Sequence, residues 1–87
     1  MDLEEARRVI DSVNTQLVPL LEQRMDAVVE VTRYKREHGL PVLDAAREQA
    51  VLDRVSQSVQ NKEYVPAVRA VFQAIMDAAK EFEAEHL

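Results

Sequence analysis

The sequence predicts an all-α fold of three helices per chain, one long, one short and one medium, and three observations carry that prediction. The 87 residues include one Gly and three Pro, too few turn formers for the many reversals of an all-β fold. Apolar residues make up 47% and charged residues 31%, too apolar a mixture for a disordered chain. Along most of the chain the apolar positions recur at spacings of three and four, the period of one face of a helix.

The first helix follows from the stripe Leu3, Arg7, Ile10, Asn14, Leu17, Leu21, Arg24, Val28, Val31 and Lys35. It is predicted to end near Glu37 to His38, because Gly39 is a natural C-terminal stop and Pro41 lies just beyond. Pro19 removes a hydrogen bond inside this segment at a cost of roughly 3 kcal/mol. It lies off the stripe, so a kink is expected rather than a break.

A helix of about 35 residues is about 52 Å long, whereas a compact chain of this size has a radius of gyration of about 12 Å. The overhang needs a second chain to cover it, so an intertwined helical homodimer is expected. The size of the chain points the same way, since small single cores are marginal.

Asp44 is placed as the N-cap of the second helix, with Val51, Leu52, Val55 and Val59 as its apolar face. This helix is predicted to end around Asn61 and Lys62. Pro66 suits the first turn of the third helix, whose face is Val65, Val68, Phe72, Ile75, Ala79 and Phe82. These helices account for residues 1–87 as a single domain with no linker or repeat.

Composition removes several classes of function. A net charge of −5 and a pI near 4.9 repel a phosphate backbone, so no nucleic-acid partner is expected. The chain has no cysteine, which excludes disulfides and thiolate chemistry. His38 and His86 are too far apart in sequence to form a metal-ligand motif by themselves. With a single Gly there is no glycine-rich phosphate loop. The opening MDLEEARR lacks the apolar core of a signal peptide and no run of 18 apolar residues occurs, so a cytoplasmic protein with no membrane partner is expected.

Most charges lie off the stripe, among them Glu4, Glu5, Arg8, Glu22, Asp26, Glu30, Arg33 and Arg36, and are expected on a solvated face. Arg7, Arg24 and Lys35 instead occupy positions that otherwise hold Leu, Ile and Val. A cation there must reach past its neighbours to water, find an acid, or face a bound anion. The stripe itself offers no acid, and the second helix adds Arg47 just past its cap. The turn at Gly39 to Pro41 is expected to fold Arg47 and Glu48 back toward Lys35. Planar guanidinium forks grip carboxylates in pairs of bonds, so this set suits a small dicarboxylate.

Arg7, Ile10, Asn14, Leu17, Leu21 and Arg24 at their spacings, followed by YKREHGLPVLDAARE with Lys35, Asp44, Arg47 and Glu48, resemble the all-helical class of chorismate mutase. The likeness runs from Leu3 to about Glu83. It implies a dimer with two shared active sites, no cofactor and no metal, and chorismate as the small-molecule substrate, rearranged to prephenate in aromatic amino-acid biosynthesis. By position, Arg7 is similar to an arginine borrowed from the partner chain and Arg24 to its same-chain companion, the two holding the substrate carboxylates. Arg47 matches a further carboxylate contact and Lys35 the donor to the ether oxygen. Glu48 and the backbone at Asp44 match contacts to the ring hydroxyl.

The third helix departs from the family's Ser and Gln, with Ala79 and Glu83 in their places. Glu83 can donate to the ether oxygen only while protonated. Two other readings stay open at this point: a pyruvate-releasing lyase acting on isochorismate with the same scaffold, and a non-enzymatic helical dimerisation module in which the seam cations set register.

Overall fold

A computed structural model describes residues 1–86 of the chain. Its elements are α1 (Leu3–His38), α2 (Ala45–Ser58), a single 3-10 turn (Lys62–Tyr64) and α3 (Val65–His86), with no strand among the described residues. The predicted all-α class and the order long, short, medium are those observed.

Helix α1 starts where Asp2 accepts the Glu5 N–H on its side chain at 2.8 Å. Glu4 and Glu5 lie in the first turn and Lys35, Arg36 and His38 in the last, so the charges complement the helix dipole at both ends. Pro19 lies inside the helix, which runs through it without a break. Gly39 ends α1 in the left-handed region, φ 64°, and the Leu40 N–H returns to the Lys35 carbonyl at 2.8 Å.

Asp44 caps α2 as predicted, its carboxylate accepting the Arg47 N–H at 3.0 Å. The end of α2 differs from expectation, at Ser58 instead of Asn61 or Lys62. The Lys62 ammonium donates to the carbonyls of Ser56 and Gln57 at 3.2 and 3.4 Å, satisfying acceptors that another helical turn would have used. Asn61 then accepts the Glu63 N–H at 3.1 Å and begins the 3-10 turn. Pro66 is the second residue of α3, where its missing N–H costs no intrahelical bond.

Helix α3 is the element against which both α1 and α2 pack. Arg69 ties α3 to α2, donating to the Ser56 hydroxyl at 2.6 Å and to the Leu52 carbonyl at 3.2 Å. Thr32 is buried on the α1 side, its hydroxyl returned to the Val28 carbonyl at 2.8 Å. The fully buried apolar residues are Met76 and Ala79 alone among those described, a small core for a chain of this length. The longest dimension is 52 Å and the radius of gyration 15.7 Å, well above the compact expectation of about 12 Å. The N-terminal half of α1 projects from the rest, and Leu3, Ile10, Leu17 and Leu21 on its stripe are 63, 57, 44 and 40% exposed.

Candidate active site

A cavity of about 270 Å³ opens where the three helices meet, lined on the α1 side by Arg24, Val28, Val31 and Lys35. The turn and α2 contribute Val42, Asp44, Arg47, Glu48 and Val51, and α3 contributes Met76, Ala79, Lys80 and Glu83. Its volume suits a ligand the size of one substituted ring, near the low end of small-molecule sites. Six of the seven residues singled out in the sequence, Lys35, Glu83, Arg24, Asp44, Arg47 and Glu48, line this one cavity.

Arg7 is not among them. It is exposed near the free end of α1, 17 residues before Arg24, which sets it about 26 Å away along a continuous helix. Within a single chain it cannot reach the cavity.

Lys35 is fixed from two directions by the turn that follows it. Its carbonyl accepts the Leu40 N–H at 2.8 Å, and its ammonium donates to the Val42 carbonyl at 2.7 Å. The same ammonium lies 3.0 Å from Oε2 of Glu83 on α3. Glu83 is 4% exposed, so this pair lies inside the protein and not on the solvated face of α3. An ammonium held by three elements loses little freedom when it meets a ligand.

Glu48 pairs with a partner that sequence reasoning missed. Oε2 of Glu48 lies 2.9 Å from the ammonium of Lys80, and Oε1 accepts from the Gln73 amide at 3.4 Å. The signal was present in the period of α3: Met76, Ala79, Lys80 and Glu83 fall at i, i+3, i+4 and i+7 and face the cavity together. The more apolar stripe through Phe72, Ile75, Ala79 and Phe82 shares Ala79 with that face but is centred to one side of it, so apolar periodicity alone does not single out Lys80. Lys80 also lies 3.3 Å from Asp77. Glu48 first, and Asp77 with it, hold the Lys80 ammonium above its ordinary value, so it is charged at neutral pH.

Two cavity cations are left over. Among the described residues Arg24 and Arg47 form no ion pair and donate no side-chain hydrogen bond. Each lysine has a carboxylate and neither arginine does. Asp44 spends one oxygen on the cap of α2 and is exposed at the rim. The cavity can therefore take a small molecule with more than one carboxylate, gripped by guanidinium forks, with apolar walls from Val28, Val31, Val51 and Met76 against its carbon frame.

Comparison with known proteins gives a family match, described as "Chorismate mutase type II", over residues 6–84. A monofunctional chorismate mutase of Enterobacter agglomerans is 39% identical over 69% of this chain and 34% of its own length. A 4-amino-4-deoxychorismate mutase of Streptomyces venezuelae is 30% identical over 64% of this chain and 54% of its own. A chorismate mutase of Methanocaldococcus jannaschii is 23% identical over 98% of this chain and 87% of its own. The chain thus spans about a third and about half of the first two of these relatives.

Proposed function

The chain belongs to the type II chorismate mutase family, and from that premise we propose that it isomerises chorismate to prephenate. In that reaction the ether C–O bond of the substrate breaks as a C–C bond forms to the ring, with no atom gained or lost and no nucleophile required. Chorismate carries two carboxylates. The observation that carries the reading is the pair of unpartnered guanidinium groups, Arg24 and Arg47, in a cavity whose lysines are both already matched.

The arginines would clamp the substrate in the folded conformer that brings the reacting carbons together, a positioning effect. Lys35 would donate to the ether oxygen as negative charge gathers there, and one preorganised donor of this kind is typically worth about 3 kcal/mol. Its tether to Val42 supports that role, because the ammonium is already aimed before substrate arrives. Glu83 would supply a second donor when protonated. Glu48, and the backbone at Asp44, would meet the ring hydroxyl.

We assign the working form as an intertwined homodimer in which the partner's copy of Arg7 completes each cavity. The exposed stripe of α1 and the very small buried core support a covering chain. The distance of Arg7 from its own cavity supports its service in another. Mixing purified protein with chorismate tests the reading directly: the conjugated-diene absorbance should disappear and prephenate accumulate. Persistence of the absorbance, or release of pyruvate from isochorismate instead, rejects it. The Streptomyces venezuelae relative is named for 4-amino-4-deoxychorismate, which has an amine where chorismate has its ring hydroxyl, and this analogue is the natural comparison substrate.

A further inference from the structure

Two of the three carboxylates that line the cavity are already paired with cations, and the third, Asp44, spends one oxygen on the cap of α2 and is exposed at the rim. Glu83 faces the Lys35 ammonium at 3.0 Å and Glu48 faces the Lys80 ammonium at 2.9 Å. Lys80 and Glu48 are both half-buried, with side chains 29 and 18% exposed, so their charges are screened less than those of a fully exposed pair. We propose that Lys80 is a specificity-determining residue, whose ammonium occupies Glu48 so that the site admits a ring hydroxyl and rejects a ring ammonium. The proposal deepens the chorismate mutase reading above and rests on it.

The chemistry separates the two substituents cleanly. A carboxylate has about four acceptor positions, and two on Glu48 are taken by Lys80 and Gln73. A hydroxyl can donate to one of those remaining while Lys80 stays where it is. A ring ammonium at the same place would set a second positive charge beside Lys80, a like-charge contact that costs more the less water reaches it. Specificity then comes from a repulsive element built into the wall and not from an extra bond to the preferred substrate. Asp77 does not relieve the clash, because it lies outside the cavity lining and is exposed.

The test is steady-state kinetics of wild type, Lys80→Met and Lys80→Gln with chorismate and with 4-amino-4-deoxychorismate, alongside thermal melts. Wild type should favour chorismate in kcat/KM by at least about tenfold, the scale at which an ill-matched polar group discriminates. Both variants should narrow that preference by about tenfold or more, with kcat/KM for the amino substrate rising in absolute terms as Glu48 is freed. A preference unchanged in both variants, or narrowed only through loss of chorismate activity, overturns the proposal. Wild type inert toward chorismate overturns the activity reading itself, an outcome visible before any variant is made.

Discussion

The Lys35 ammonium lies 3.0 Å from the Glu83 carboxylate and 2.7 Å from the Val42 carbonyl, so one side chain joins the end of α1, the turn after it and α3. Removing that side chain has two separable effects. Lys35→Met should reduce kcat/KM by about 10²- to 10³-fold, the usual effect of deleting one preorganised donor. It should also lower stability, because Glu83 is left buried without its partner. The double variant Lys35→Met with Glu83→Gln should regain thermal stability and stay inactive. Recovery of activity in the double variant would show that Lys35 acts through Glu83 alone.

Glu83 gives a prediction about donor character. An ionised carboxylate has no hydrogen to donate and repels an oxyanion. Glu83→Gln presents a permanent N–H donor and should raise kcat for chorismate, whereas Glu83→Leu, which has no donor, should not. Equal kcat in the two variants would remove Glu83 from the chemistry.

A third prediction concerns the turn that aims Lys35. Gly39 sits at φ 64° with nothing within 4 Å of an added Cβ, so Gly39→Ala meets only conformational cost, roughly 1 kcal/mol. Gly39→Asn should cost less, since Asn tolerates this region. Chemical denaturation measures both. Equal stability of Ala and Asn variants would argue against the left-handed cap.

The Asp77 carboxyl is held below its ordinary value of 3.8, chiefly by the Gln73 amide and then by Lys80. A carboxyl lowered in the folded state adds stability above its unfolded pKa and loses it as pH falls through the folded one. Asp77→Asn should therefore lower the melting temperature slightly at neutral pH, and the gap should close on acidification. A gap that widens in acid would contradict the assigned direction.

Much of this was legible in the sequence because local signals agreed. The spacing from Leu3 to Lys35, the stop at Gly39 and the cap at Asp44 each act within a turn or two of the chain, and each is found where expected. The end of α2 was not legible, because it depends on the Lys62 ammonium reaching back to Ser56 and Gln57. Lys80 was missed for a related reason: its meaning comes from Glu48 on another helix, 2.9 Å away in space and far away in sequence. Arg7 illustrates the converse, a residue whose place on the stripe is clear while the role proposed for it needs a second chain.

That second chain is where the central claim is most exposed to test. Arg7→Ala and Arg24→Ala proteins, each purified and nearly inactive toward chorismate, should be unfolded together and co-refolded. Half of a randomly reassembled dimer population is heterodimeric, and each heterodimer has one cavity with both arginines, so roughly a quarter of wild-type activity should return. Activity no greater than the sum of the two inactive parents would mean that Arg7 does not cross to a partner's cavity, and the shared site would be wrong.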